Sequence, residues 1–554
     1  MKDLSRNYWN WTQQKSCRME MILREKDANE WVYRGEGAAN LVLAYTGSSP
    51  TFIGKVMRIR KCPRNGAEGM CMRSPSALTA LERLLWKDVD ELISSSDNEI
   101  ACQLFAHHVM KPLLGPKYVD AGMLVEVPRE FLELVEKNVI RQRPAWRVDN
   151  ARVDMHRGSV LLMSDHSLFT HGNLGSSPCI SVEIKPKCGF IPLSRFISEG
   201  TAIKRRITRF QMHQALKLHQ GEVPHTQIFA FDGGSAAAKC IHLPVIYPIY
   251  LQISLLSKYN PLDLFSGSKE RIYKAIKDLF TTPQNNFRVF MNGSLIFGGL
   301  GGGAEDTNFG IAKAFENALK SVIQADNGLC TENLLTLVAE AVKKSGVLDR
   351  LLDVQKLDNV DIEGAIHAYY DITRQQCIIC RELSEEQLKR YTSLHSASLD
   401  ESLRIVKDYL IAATAKDCSF MICFRQRKAG DSGSGSICSN IYLESTKQTF
   451  DFKLLLVGSG PHLRMMLIFK SFCPVGAVKK LLQKDLLQLQ MTLEEDCIEN
   501  PIVSVKLLRS RCSQKQLVKA LIPLTSNGSK IMVTVTSEAN AVRIIKEKKS
   551  AGIE

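Results

Sequence analysis

The stretch SVEIKPKCGF, residues 181–190, decides how this chain is read. In a strand successive side chains alternate faces. Val182 and Ile184 then enter a core, while Glu183, Lys185 and, if the extended path continues, Lys187 share the other side. Pro186 removes a ladder donor and keeps Lys185 extended, so the strand is expected to end there. A solvated edge strand is the plain explanation for three charges lined up at a strand end. The sharper one is a site for a ligand that carries phosphate.

Upstream, WVYRGEGAANLVLAYTGSSPTFIGKVMRIRK (31–61) reads as strand, glycine turn, strand, Gly/Ser/Pro turn, strand. Gly35-Glu36-Gly37 falls between the first two strands, where glycines let backbone N–H groups approach phosphates. Arg58 on the third strand is a cation placed to pair the α/β-phosphates, as a lysine on the equivalent strand does in protein kinases. An ordinary hairpin turn accounts for GxG equally well, and no GxxxxGK[ST] occurs in this region. A helix is expected over 76–95, a strand and a helix entered through Pro128 over 123–142, and a buried strand over 160–169.

Downstream, 207–219 reads as an amphipathic helix, 260–280 as a turn, a Ser cap and a helix, and 282–299 as a hairpin turning at Asn292-Gly293. A strong helix over 401–416 leads into Asp417 and the apolar strand CSFMICF. Helix, acidic turn and strand is the order in which a kinase-like fold places the carboxylate that receives the acceptor hydroxyl's proton, although a turn aspartate reads the same. Asn285, Asn286 and Arg288, with Lys217 and Arg209, lie near predicted element ends and singly read as surface.

The formal net charge of +14 favours an anionic partner: nucleic acid, acidic lipid or a phosphorylated metabolite. The basic residues are dispersed, without a polybasic run, which weakens nucleic acid. The apolar stretch 240–257 reaches membrane-spanning length, but two prolines, a His and a Gln argue against a span. Sixteen cysteines, with no apolar segment in the first twenty residues, imply a reduced intracellular setting, cytoplasm or nucleus. Clustered Cys and His are then metal ligands before disulfides. His367, Cys377, Cys380 and His395 supply a C-x2-C with a His ten residues before and another fifteen after, a set suited to a closed, structural zinc. Buried free thiols are the plainer reading of the same cysteines.

Six ordered motifs now combine: RGEGAANLVLAY (34–45), EIKPKCGF (183–190), NPLDLFSG (260–267), TPQNNFRVF (282–290), the His/Cys/Cys/His set and AATAKDCS (412–419). Together they resemble the inositol-pentakisphosphate 2-kinases, plant type, from about Met19 to Lys453. The resemblance implies an α+β, two-lobed inositol-phosphate kinase fold distantly like protein kinases, with the zinc site in the larger lobe. An N-lobe over 19–165 and a C-lobe over 166–453 are expected. It implies ATP-dependent phosphorylation of inositol 1,3,4,5,6-pentakisphosphate at the 2-hydroxyl, with Mg2+, by a monomer without nucleic-acid or membrane partners.

Carried over by motif, Gly37, Ala38, Ala39 and Asn40 would cover the ATP phosphates and Arg58 would take the kinase lysine's place. Ser164, Asp165 and His166 match the hinge that holds adenine, with Glu183 and Lys185 on the nucleotide side. Lys187, Arg147, Lys217, Asn286 and Arg288 would hold the inositol phosphate, with Arg209 a further candidate, and Asp417 would be the general base.

The chain also departs from the family. A metal-binding aspartate is expected after the strand that follows TFDFK, yet the sequence continues LLLVGSGPHLRMMLIFKSF. The acidic LEEDC (493–497) is a remote replacement. A catalytically impaired member that only binds inositol phosphate or ATP is therefore the second reading. Residues 1–18, an insert over about 223–252 and the tail 454–554 match nothing in the family pattern and are expected to be gene-model errors, such as retained introns.

Overall fold

The computed structural model describes residues 23–37, 39–64, 77–169, 177–219, 257–298, 309–325, 329–377, 379–427 and 439–458, together with four strands between 506 and 547. Residues 1–18, Ala38 and the insert 223–252 lie outside the described residues, as does the apolar stretch 240–257 except for Ser257. The chain divides into two units, Met1–Met465 and Met466–Glu554.

The first unit holds two six-stranded antiparallel sheets. One contains β1 (Trp31–Glu36), β2 (Asn40–Tyr45), β3 (Lys55–Pro63), β4 (Met123–Glu126), β5 (Ala151–Val153) and β6 (Ser159–Ser164), in the order β1-β2-β3-β6-β4 with β5 on β3. Its inner face and the helix Arg129–Val139 close a core around Trp31, Leu41, Leu43, Met57, Ile59 and Leu162. The helix contributes Phe131, Leu132, Val135 and Val139, the i, i+1, i+4, i+8 stripe of an amphipathic helix.

The other sheet contains β7 (Cys179–Ile184), β8 (Phe287–Met291), β9 (Ser294–Phe297), β10 (Ser419–Gln426), β11 (Ser439–Leu443) and β12 (Gln448–Val457), in the order β11-β12-β10-β7-β8-β9. The EIKPK strand is therefore interior, paired with β10 and β8. The solvated-edge explanation fails. β7 stops at Ile184, and Lys185 N–H makes one further bond to the Asn286 carbonyl at 2.9 Å before Pro186 ends the ladder. The β8–β9 hairpin turns at Asn292 and Gly293, with φ of 48° and 80°, as a two-residue primed turn demands.

Three local expectations are corrected. Gly35 and Glu36 belong to β1, and Gly37 N–H donates to the Asn40 carbonyl at 2.9 Å at the start of β2. The helix expected over 76–95 is two short ones, Ala80–Leu85 and Asp90–Ile93, because the first starts at the Thr79/Glu82 capping box and stops at Trp86. The extended path does not continue to Lys187, whose φ is 62°.

The helices that went unnoticed in the sequence include Cys330–Ser345, Val347–Gln355 and Asp361–Ile372. The second and third pack with the long helix Leu399–Asp417, which is capped by Ser398 and delivers Asp417 to the start of β10. The second unit is an antiparallel meander, β13 (Lys506–Leu508), β14 (Leu517–Leu524), β15 (Ser529–Glu538) and β16 (Ala541–Glu547). Among the described residues no helix is long and apolar enough to cross a membrane.

Candidate functional site

The end of β7 gathers charge. Glu183 lies opposite Arg288 on β8, and Arg288 Nη1 donates to Glu183 Oε2 at 3.3 Å. Ser419 Oγ is 3.2 Å from the other carboxylate oxygen. Burial pushes the Lys185 ammonium pKa down; the Glu183 and Asp417 carboxylates pull it back up, and Arg288 and Arg147 push it down again. Lys185, Glu183, Arg288, Asp417 and Arg147 thus share one electrostatic neighbourhood although they span residues 147 to 417. Asn286 is 2% exposed, and its Oδ1 has no hydrogen-bond partner among the described residues. Arg288 Nε is buried and unpartnered in the same way. Orphaned polar atoms of this kind are costly unless a ligand satisfies them.

On the first sheet, Arg147 Nη1 reaches the Gly37 carbonyl at 3.4 Å while its guanidinium lies 4.0 Å from the centre of the Trp146 ring. Gly37 itself opens onto free space. Behind this turn Glu36 is buried between Lys61 and Arg143, with Arg143 Nε at 3.0 Å and Nη2 at 3.1 Å. Burial opposes the Glu36 charge, but hydrogen bonds from Arg143 and Lys61 outweigh it and leave the carboxyl below its ordinary range. Arg143 also binds Glu136 at 3.1 Å and the Ala151 carbonyl at 2.8 Å. Nothing in the sequence marked this network, because its members are apart in the chain and unremarkable singly.

Arg58 and Asn40 line a cavity of about 120 Å³ with Glu99, Leu161, Met163 and Leu456. Arg58 Nη1 donates to the Gly458 carbonyl at 3.1 Å, just past the end of β12. At the end of β6, Ser164 N–H binds Asp120 Oδ2 at 3.1 Å and Asp165 N–H binds the Gly54 carbonyl at 2.8 Å. Asp165 also accepts from Arg34 Nη2 at 3.1 Å, and Arg34 Nη1 donates to the Gly293 carbonyl, tying the first sheet to the β8–β9 turn. His166 is buried, neither ring nitrogen has a hydrogen-bond partner among the described residues, and burial lowers its pKa to about 4. It presents a neutral imidazole.

Lys217 lies in the helix Arg209–His219, and its side chain falls outside the described residues, as does Ala38. Lys187 stands in the loop after β7 with its carbonyl turned to Gln355.

The four metal ligands come together. His367 Nδ1 is 3.3 Å from Cys377 Sγ and 3.4 Å from Cys380 Sγ, and His395 Nε2 is 3.2 Å from Cys380 Sγ. All four ligand atoms lie within 4.8 Å of one another. His395 Nδ1 is 2.8 Å from Asp371 Oδ1, a carboxylate that orients the imidazole so that Nε2 faces the cluster. The sequence did not single out Asp371.

Two antiparallel sheets, a cation cluster at an interior strand end, a carboxylate at a helix end and a Cys/His metal-binding set define the class: an α+β kinase-type fold. Residues 33–457 match the family model described as Inositol-pentakisphosphate 2-kinase, and the chain belongs to that family. It is 53% identical over 442 residues to the inositol-pentakisphosphate 2-kinase of Arabidopsis thaliana, covering 79% of this chain and 89% of the relative. The match to the inositol-pentakisphosphate 2-kinase of Oryza sativa subsp. japonica is 45% identical over 440 residues, 79% and 90% of the two chains. The Danio rerio relative is 27% identical over 502 residues, covering 80% and 91%.

Proposed function

We propose that this chain transfers the γ-phosphoryl group of ATP to the 2-hydroxyl of inositol 1,3,4,5,6-pentakisphosphate, giving the hexakisphosphate. The observation that carries the reading is the Glu183–Arg288 pair at 3.3 Å on the strand end of Lys185, with Ser419 Oγ, two residues past Asp417, 3.2 Å from the same carboxylate. A polyanion with five phosphates needs several cations on rigid elements, and here three come from an interior strand end, its neighbour strand and the helix Ala145–Asn150. The lobes 19–165 and 166–453 would supply the nucleotide and inositol phosphate sides respectively.

In this reading Gly37 to Asn40 cover the phosphates, Arg58 pairs with them, and Ser164 to His166 receive adenine, where the neutral His166 imidazole, with no hydrogen-bond partner among the described residues and Asp120 Oδ2 3.6 Å from Nε2, offers both a donor and an acceptor. Glu183 and Lys185 face the nucleotide, and Lys187, Lys217, Asn286, Arg288 and Arg147 hold the inositol phosphate. The inositol 2-oxygen bonds to the γ-phosphorus as the bond to the β,γ-bridging oxygen breaks. ADP leaves with that electron pair, and Asp417 takes the hydroxyl proton. A bound magnesium would supply charge neutralisation at the phosphates. Hard carboxylate oxygens that fit it are present at Asp417 and Glu183, with Glu183 already shared by Arg288 and Ser419. The Cys2His2 set fits zinc in a structural role, since four protein ligands close the tetrahedron.

A second reading, binding without turnover, is favoured by Gly458, a glycine at the end of β12 whose carbonyl occupies the Arg58 guanidinium. One assay separates the two. The full chain is incubated with ATP, Mg2+ and inositol 1,3,4,5,6-pentakisphosphate, products are resolved by anion exchange, and Asp417→Asn is the control. Hexakisphosphate from the wild type and not from the variant supports transfer. Bound substrate without product supports the binding-only form, and neither binding nor product rejects both.

A further inference from the structure

After Ile184 the chain leaves the β7 ladder and enters a short loop, Lys185 to Gly189, that carries two of the family's cations. Loops of this kind usually move. Here the loop is fixed at three successive points by side chains from elsewhere. Tyr259 Oη donates to the Pro186 carbonyl at 2.8 Å. Gln355 Nε2 donates to the Lys187 carbonyl at 3.0 Å, and Gly189 N–H donates to Gln355 Oε1 at 2.8 Å. Gly189 cannot be anything larger: a Cβ there would lie 2.5 Å from the Phe265 ring.

Gln355 differs from Tyr259 because its remaining amide proton goes somewhere else. Nε2 also lies 3.4 Å from the Ala415 carbonyl, in the last turn of the helix that ends at Asp417. The side chain is 0% exposed, so water cannot replace any of these bonds. One planar amide therefore spans the loop of Lys187 and the helix end of Asp417, and the two carbonyls it binds, Lys187 and Ala415, are 228 residues apart in the chain. Lys187 needs such a hold, since a lysine with φ of 62° is in the left-handed region that only glycine adopts freely. Three residues after Gln355, Asp358 adds a second hold on the same helix end through Lys416 Nζ at 2.6 Å.

We infer that Gln355 is a positioning residue for phosphoryl transfer, setting the separation between the loop of Lys187 and the general-base helix end at Asp417. This rests on the proposed reading of those two residues. Gln355 touches no substrate in this account. It acts by fixing two backbones, and a displacement of about 1 Å between reacting groups is enough to lose about a hundredfold in rate.

The test is Gln355→Met in the full chain, which keeps length and burial and deletes all three hydrogen bonds. Four quantities are read against wild type: Tm, ATP affinity, inositol pentakisphosphate affinity by calorimetry, and kcat. The expected result is an ATP affinity within twofold, an inositol pentakisphosphate affinity lower by about tenfold and a kcat lower by about a hundredfold. A lower Tm with both substrate affinity and kcat unchanged makes Gln355 a scaffold residue and overturns the inference. If Gln355→Met does not fold, Gln355→Glu, which keeps the acceptor toward Gly189 and loses donation to both carbonyls, carries the same readings. A wild type that binds without turnover leaves the affinity arm to decide. A wild type that neither binds nor turns over rejects the functional reading and the inference with it.

Discussion

Glu183 and Arg288 face each other across β7 and β8, ion-paired at 3.3 Å, and both belong to the cluster around Lys185. The pair gives Arg288 a fixed direction while leaving its buried Nε without a hydrogen-bond partner among the described residues. Replacing it therefore removes a prepositioned cation and strands a carboxylate next to Lys185. For Arg288→Ala we expect kcat/KM for the inositol phosphate to fall by about 10²-fold, with Arg288→Lys recovering only part, because an ammonium cannot reproduce the planar fork. An alanine variant with unaltered kcat/KM would remove Arg288 from the substrate site.

Asp417 closes its helix one residue before β10, a position fixed by backbone geometry on both sides. Asp417→Asn keeps the shape and loses the proton acceptor. Its kcat should fall by about 10²- to 10⁴-fold, while the calorimetric affinity for inositol pentakisphosphate changes little. A variant that loses binding and keeps the rate of the bound fraction would instead assign Asp417 to substrate contact.

The metal centre predicts a stoichiometry. Plasma emission on purified protein should find one zinc per chain, lost in Cys377→Ser, and strong chelation should lower Tm. Asp371→Asn, which leaves all four ligands, should weaken zinc affinity by about 10- to 100-fold through misorientation of His395. Protein that is free of zinc yet melts at the same temperature would argue against a structural metal.

Glu99 predicts a pH dependence. It lies in the cavity beside Arg58, and burial raises its carboxyl to about 7. The folded state then holds a proton that the unfolded state has released, so stability declines as pH rises from 4.5, the ordinary value, to about 7, and levels off above. Glu99→Gln abolishes this. The variant's Tm advantage over wild type should grow across that window and stay constant beyond it. Parallel melting curves from pH 4 to 8 check it, and a constant difference throughout would mean that Glu99 titrates normally.

The end of β12 offers a gain-of-function experiment. A Cβ at Gly458 would meet nothing within 4 Å among the described residues, so an aspartate fits among them where the family resemblance expects a metal-binding carboxylate. Gly458→Asp should raise kcat at saturating Mg2+ and lower the Mg2+ concentration needed for half-maximal rate. No response in either quantity would place the magnesium carboxylate elsewhere.

Much of this protein is written locally. The three strands of 31–61, the Ser268-capped helix and the Asn292-Gly293 hairpin follow from alternation, capping and turn chemistry acting over a few residues, and all are present. The candidate metal-binding set was also legible, because it clusters soft donors within twenty-nine residues. What local rules could not reach is contact between distant segments. Whether EIKPK lay at an edge or in the interior was decided by β8 and β10 pairing on either side of it. The turn of Lys187 away from the extended path follows from Pro186 ending the ladder and from Gln355, whose one amide binds two backbones that sequence spacing never brings together. Side-chain type and period fix strands, turns and ligands; long-range hydrogen bonding and burial fix which charges face one another, and only the folded chain supplies those.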